Sequence, residues 1–194
     1  MRTPVSLSQI WFLAFCALFS GPVQAAEGDL RSAHDFSFTA IEGDTLPLAQ
    51  FAGKAVLVVN SASQCGFTSQ YSALADLWAR YRDKGLVILA VPSNDFGGQE
   101  PGTESDIKQF CDVNYGIDFP MTEKVHVRGE EAHPFYQWAA THFSPLSKPR
   151  WNFHKYLIAP DGKLVGWFSS ATSPTSEKVM SAIEEQLARA TALP

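Results

Sequence analysis

Asn60-Ser61-Ala62-Ser63-Gln64-Cys65-Gly66-Phe67-Thr68 is the stretch on which the reading of the fold turns. It follows an uninterrupted apolar run, Ala55-Val56-Leu57-Val58-Val59, and precedes a segment in which Tyr71, Leu74, Leu77, Trp78 and Tyr81 recur at helical spacing. The pattern predicts strand, tight turn, helix. Cys65 then lies at the carboxyl end of a strand and just before a helix, where free N–H groups and the positive end of the helix dipole favour a thiolate. That is the setting of a nucleophilic cysteine. The competing reading is a small buried hydrophobe, since free cysteines are among the most buried residue types.

Outward from the turn, a helix is expected over about residues 69–84, closed by Gly85 just past its end. Residues 86–91 form a second apolar run, so strand, helix and strand make a parallel βαβ unit with a right-handed crossover. In such sheets chemistry collects outside the carboxyl ends of the strands. Upstream, residues 35–39 and 45–48 flank Glu42-Gly43-Asp44 and suggest a leading hairpin. Downstream, residues 92–102 carry too many turn residues to be regular. Thr103-Glu104-Ser105-Asp106 reads as the cap and acidic first turn of a helix with Ile107, Phe110 and Cys111 on one face. Residues 119–127 read as extended, 132–141 as a short helix and 143–150 as a loop. Residues 155–158 and 163–168 flank Ala159-Pro160-Asp161-Gly162, a hairpin signal. Ser173-Pro174 opens a final helix with Val179, Met180, Ile183 and Leu187 facing inward.

The chain has 194 residues, of which 45% are hydrophobic and 18% charged, enough for one globular domain with a sizeable core. Residues 1–26 are set aside: Arg2 is their only charge, Ile10 to Phe19 is unbroken apolar, and Val23-Gln24-Ala25 offers small residues at a cleavage point. The run is too short to span a bilayer. A cleaved secretory signal, with an uncleaved anchor as the lesser option, leaves residues 27–194 as the domain and implies a secreted or periplasmic protein. The formal net charge of −5 and the lack of a basic run argue against nucleic acid and anionic lipid as partners, and no membrane association is expected of the mature form. His34, His126, His133, His142 and His154 lack metal-ligand spacing, and neither a metal nor another cofactor is implied. Beyond residue 26 two cysteines remain, Cys65 and Cys111, which in an oxidising compartment could form a structural bridge worth about 4 kcal/mol.

The order βαβ, helix, ββα is a thioredoxin-like arrangement: an α/β fold with a central mixed sheet flanked by helices. Four motifs in matching order also resemble the glutathione peroxidase family: the cysteine stretch, then Phe96-Gly97-Gly98-Gln99-Glu100-Pro101-Gly102, Phe119-Pro120-Met121 and Trp151-Asn152-Phe153. The resemblance runs over about residues 36–187. It implies a peroxidase in which Cys65 is the peroxidatic nucleophile and Gln99, Trp151 and Asn152 complete the active site. Attack on an O–O bond needs a thiolate, and amide and indole N–H donors hold that charge without supplying a competing acid. Taken without the family pattern, a loop glutamine is more often solvated and a tryptophan beside phenylalanine more often core.

Cys111, in Gln109-Phe110-Cys111, resembles the resolving cysteine of the thioredoxin-dependent branch, which implies a hydroperoxide substrate and a thioredoxin-like reductant or glutathione. The short region 129–150 resembles the monomeric members. Two loop positions depart from the pattern: Ser93 stands where many relatives have a further cysteine, and Asp95 where they commonly have glutamine. A carboxylate aimed at the sulfur would oppose its ionisation, so Asp95 is expected to point away. Two other classes compete: a thiol-disulfide oxidoreductase, although Thr68 occupies the second position of the usual Cys-x-x-Cys pair, and a non-catalytic binding module with a Cys65–Cys111 disulfide.

Overall fold

The computed structural model describes residues 31–190; the signal-peptide reading of residues 1–26 lies outside the described residues. The chain runs β1 (Ser37–Thr39), β2 (Thr45–Pro47), β3 (Ala55–Ser61), α1 (Gln70–Tyr81), β4 (Leu86–Pro92), α2 (Glu104–Tyr115), α3 (Pro134–Ala139), β5 (Lys155–Ile158), β6 (Leu164–Phe168) and α4 (Glu177–Ala190). β1 and β2 pair as the expected antiparallel hairpin. The other four strands make one mixed sheet in the order β4-β3-β5-β6. β3 and β4 are parallel, with Ala55 beside Leu86 and Ser61 beside Pro92, whereas β3–β5 and β5–β6 are antiparallel. Among the described residues no helix is long and apolar enough to cross a membrane.

Every residue of β3 and β4 is buried, which is why both read as continuous apolar runs rather than as alternation. The alternation is present in three dimensions. Leu57, Val59, Ile88 and Ala90 enter one core with Leu74 and Leu77 of α1 and Val179 and Ile183 of α4. Val56, Val58, Val87 and Leu89 enter the other, with Phe38 of the hairpin and Phe135 and Trp138 of α3. Each valine, leucine or isoleucine among them contributes about 1.5–3 kcal/mol by leaving water.

The helix after the cysteine turn ends where the sequence indicates. Past Tyr81 a short 3-10 turn, Arg82–Lys84, runs into Gly85, whose φ of 99° lies in the left-handed region that glycine adopts most readily. The Gly85 carbonyl then accepts the N–H of Ala55, tying this end of the crossover to the start of β3. α2 begins with a reciprocal capping box between Thr103 and Asp106.

Two boundaries differ from expectation. The last helix starts at Glu177 rather than at Ser173-Pro174, because residues 173–176 form a turn whose Ser176 carbonyl collects the N–H groups of Val179 and Met180. The extended segment 119–127 makes only two isolated bridges, Ala90 with Met121 and Ala40 with Thr122. Pro120 accepts from Ala90 but has no N–H with which to extend the ladder, so the segment covers the outer edge of β4 without becoming a strand.

Candidate active site

The site is built at the carboxyl end of β3, on the cysteine turn. The Cys65 carbonyl accepts the Thr68 N–H at 3.0 Å, Phe67 accepts from Gln70 at 2.9 Å and Thr68 from Tyr71 at 3.0 Å, so successive turns wind into α1. Thr68 locks them: its Oγ1 accepts the Cys65 N–H at 2.9 Å and donates to the Ala62 carbonyl at 2.9 Å. Cys65 is 8% exposed, and its Sγ accepts the Phe67 N–H at 3.4 Å. Thr68→Val keeps the shape but leaves a buried N–H and a buried carbonyl unmet, a loss expected at about 1–3 kcal/mol for each. Urea denaturation would measure it, and Thr68→Ser should restore most of the stability.

The glutamine loop is sewn to this turn. The Gln99 carbonyl accepts the Gln64 N–H at 3.0 Å, and the Glu100 carboxylate accepts the Ser63 N–H at 2.9 Å and the Ser63 hydroxyl at 3.2 Å. Gly97 and Gly98, at φ 71° and 65°, make the reversal that lets Gln99 and Glu100 double back. Glu100 is 1% exposed, and burial raises its carboxyl above the ordinary range although the Ser63 donors pull the other way.

The third segment is held by Asn60, the penultimate residue of β3. Its Nδ2 donates to the Trp151 carbonyl at 3.1 Å, its Oδ1 accepts the His154 N–H at 3.1 Å, and its carbonyl accepts the Phe153 N–H at 2.6 Å. Phe153 has a φ of 63°, the only positive value outside glycine among the described residues. Such a conformation persists only where its surroundings fix it, here the Asn60 bond and a ring packed edge-on against Tyr71 at 5.2 Å. Within this turn Asn152 is fully buried while Trp151 stays 40% exposed, its indole beside the Phe96 ring at 5.9 Å.

Asn152 Nδ2 donates to Gln99 Oε1 at 3.0 Å, joining two residues 53 positions apart. With its oxygen committed, the Gln99 amide nitrogen is left as a donor for negative charge. The Asn152 Oδ1 is buried without a partner. The structure therefore brings Cys65, Gln99, Trp151 and Asn152 to one end of the sheet. Cys111 is separate: it is a free thiol, as is Cys65, buried to 0% exposure in α2. Burial pushes its thiol up to about 11, with the Glu100 charge adding to the rise and Tyr71 opposing it. The Tyr71 hydroxyl lies against the Cys111 thiol and the Ser61 hydroxyl without closing an aligned hydrogen bond to either.

Asp95 is committed elsewhere. Its carboxylate contacts His126 Nδ1 at 2.6 Å and accepts the N–H groups of Val127 at 2.7 Å and Arg128 at 3.3 Å. Burial opposes its charge, but the His126 bond and the two N–H donors outweigh that and hold the carboxyl below its ordinary value.

Sequence reasoning missed Asn60 as the clamp, the Glu100–Ser63 tether and Lys155. Lys155 is fully buried in β5, with Nζ donating to Gln70 Oε1 at 2.5 Å and to the Thr172 carbonyl at 2.7 Å, and burial lowers its amine to about 7. Its signal was a charge set in an otherwise apolar strand. His154 beside it is lowered to about 4 by burial and by the Lys155 charge. Among the described residues no group of His, Cys, Asp and Glu is placed to hold a metal ion.

Comparison with known proteins agrees with this architecture. The family model for glutathione peroxidase matches residues 33–140. "Glutathione peroxidase-like peroxiredoxin GPX5" of Chlamydomonas reinhardtii is 43% identical over 156 residues, covering 77% of this chain and 96% of the relative. "Hydroperoxy fatty acid reductase gpx1" of Synechocystis sp. is 40% identical over 162 residues, covering 79% of this chain and 95% of the relative. The crystal structure of Trgpx in apo form superposes with a TM-score of 0.67 at 34% identity, covering 82% of this chain and 97% of that one. With the thioredoxin-like sheet, the cysteine turn and the Gln99–Asn152 pair in place, the chain belongs to the glutathione peroxidase family and is a peroxidase.

Proposed function

We propose that this peroxidase reduces hydrogen peroxide and organic hydroperoxides through Cys65, with Gln99, Trp151 and Asn152 as its active-site partners and Cys111 as the resolving thiol. The observation that carries the reading is the bonded Gln99–Asn152 pair brought onto the Cys65 turn at one sheet end. The Cys65 thiolate attacks one peroxide oxygen, and the O–O bond breaks. A sulfur lone pair forms the S–O bond while the O–O bonding pair leaves with the second oxygen, which takes a proton and departs as water or alcohol, and Cys65 becomes a sulfenic acid. The Gln99 amide, the Trp151 indole N–H and the Phe67 N–H are the donors available to the charges that appear and disappear.

The sulfenic acid then condenses with the Cys111 thiol, forming the S–S bond and releasing water. A dithiol of the thioredoxin type gives two electrons and two protons to restore both cysteines. Cys111 cannot react where it stands: it is wholly buried, and its thiol holds its proton to about pH 11. α2 must therefore loosen in each cycle. Its attachment is light, since Ile107 and Cys111 are its only fully buried residues and Val113 is 74% exposed. The enzyme works as a monomer, and residues 1–26 direct it out of the cytoplasm as a cleaved signal.

Peroxide turnover with thioredoxin and with glutathione, measured side by side, tests the donor. Thioredoxin is expected to sustain turnover, and Cys111→Ser to stop it after one equivalent while glutathione remains a poor donor to the wild type. Peptide mapping after one equivalent of peroxide should yield the Cys65–Cys111 peptide. If that peptide never forms, or Cys111→Ser turns over fully with thioredoxin, the two-cysteine cycle is wrong.

A further inference from the structure

Asp95 lies one residue before Phe96 and four before Gln99, yet no bond in the site described above uses its side chain. That side chain is 9% exposed and accepts three bonds from residues 126–128. Its own N–H donates to the Ser93 hydroxyl at 3.4 Å, just past the end of β4. The clasped segment returns the contact: the Arg128 guanidinium sits over the Phe96 ring, 5.1 Å from its centroid. The ring of Phe96, 2% exposed, meets the Trp151 indole. Carboxylate, clasped segment, guanidinium, phenyl ring and indole thus form one unbroken series of contacts, ending at one of the four site residues.

We propose that Asp95 is a positioning residue for the peroxidase reaction, fixing the Trp151 indole through Arg128 and Phe96. The proposal rests on Trp151 serving the reaction. The charged groups around the clasp are consistent with this role. His126 faces Asp95 directly, and Glu131 faces the far nitrogen of His126 at 3.8 Å, so the imidazole is held between two carboxylates and its protonated form is favoured. Arg128, on the same segment, sends its guanidinium over Phe96. Removing the Asp95 carboxylate would leave the half-buried Val127 N–H and the exposed Arg128 N–H without their acceptor and His126 without its ion-pair partner, and the segment carrying Arg128 would shift from Phe96. Asparagine retains an oxygen for the Val127 and Arg128 N–H groups and an amide that a neutral His126 can accept.

The test is the rate at which the reduced full-length enzyme consumes hydrogen peroxide in a single turnover, read by rapid quench and mass spectrometry of Cys65, for Asp95→Ala, Asp95→Asn, Trp151→Phe and the Asp95→Ala, Trp151→Phe pair. Asp95→Ala is expected to slow the step about ten- to hundredfold, the size of effect that a small misplacement of a site group produces. Asp95→Asn at pH 8 should recover most of the rate. In the Trp151→Phe background Asp95→Ala should slow nothing further, because the two act in series. If Trp151→Phe is slow but Asp95→Ala runs at the wild-type rate, Asp95 has no such role. Equal slowing by Asp95→Ala in both backgrounds overturns the route through Trp151. A wild-type rate for Trp151→Phe removes the premise itself and the proposal with it. Should Asp95→Ala fail to fold, Arg128→Met lifts the guanidinium from Phe96 without touching the clasp, and the same loss of effect in the Trp151→Phe background is expected.

Discussion

Replacing Cys65 by serine is expected to abolish stoichiometric peroxide consumption by the reduced protein while leaving the fold intact. The substitution changes one atom. The bonds that shape the turn run through the backbone of Cys65, its N–H to Thr68 Oγ1 and its carbonyl to the Thr68 N–H, and both survive. What is lost is a sulfur whose thiolate can give two electrons to an O–O bond; a serine hydroxyl does not do so at a useful rate. Cys111 cannot substitute, since its buried thiol keeps its proton to about pH 11 and no peroxide reaches it. Cys111→Ser should accordingly retain the first equivalent that Cys65→Ser loses. Peroxide remaining after mixing equimolar reduced protein and hydrogen peroxide is the measurement. A Cys65→Ser variant that consumes its equivalent at the wild-type rate would place the nucleophile elsewhere.

How far the sequence carried depends on which contacts are local. The two apolar runs that became β3 and β4, the hairpin around Gly43 and the left-handed stop at Gly85 were legible because each is decided within a few residues. The start of α4 was not, because Pro174 fits a helix's first turn as well as the turn it actually occupies, and only the Ser176 carbonyl settles which. Within the site, Cys65 could be nominated from its own turn, but Gln99, Trp151 and Asn152 are joined to it by strand order, and no spacing in the chain encodes that. Only the family resemblance named them. Asn60, Glu100 and Lys155 escaped because polar and charged side chains are read as exposed by default, whereas here each is buried and bonded to a segment far away in sequence: Asn60 to residues 151–154, Glu100 to Ser63, Lys155 to Gln70 and Thr172. Asp95 shows the converse. Its expected turn away from the sulfur was correct, but the reason, two N–H donors and an imidazole on the 126–128 segment, is visible only in three dimensions.

Lys155→Met is expected to change how the stability of this protein depends on pH more than any other single substitution in the core. Lys155 is buried to 0% exposure, and its Nζ meets the neutral oxygens of Gln70 and Thr172 rather than a carboxylate. Burial lowers its amine from 10.5 to about 7. An unfolded lysine keeps its proton to about pH 10.5. Between pH 7 and that value the unfolded state binds more protons than the folded one, so wild-type stability rises with pH through this window. Below about pH 7 both states are charged and the full cost of the buried cation is felt; above pH 10.5 neither is charged and the cost has gone. At 1.36 kcal/mol for each unit the whole window is worth roughly 4–5 kcal/mol. Methionine has similar length and no charge, so its unfolding free energy should lack this slope. It also leaves the Gln70 and Thr172 oxygens without their donor, at about 1–3 kcal/mol each, whereas the neutral amine still has two N–H groups for them. The wild type should therefore gain on the variant by several kcal/mol between pH 6.5 and 9.5, with the variant equal or ahead at the acid end. His154, the titratable neighbour, is lowered to about 4 in the folded protein while an unfolded histidine titrates at about 6.5, so its contribution is confined to the acid end of that range. Urea denaturation of both reduced proteins at pH 6.5, 7.5, 8.5 and 9.5 measures the difference, and the steps above pH 7.5 lie beyond the titration of His154, whose shift also depends on Lys155. Parallel stability profiles would mean that Lys155 keeps its ordinary ionisation in the folded protein. Because Gln70 heads α1, donates its N–H to the Phe67 carbonyl and its side-chain amide to the Ser170 carbonyl, the same variant should loosen the helix start behind Cys65 and slow the single-turnover peroxide reaction at every pH.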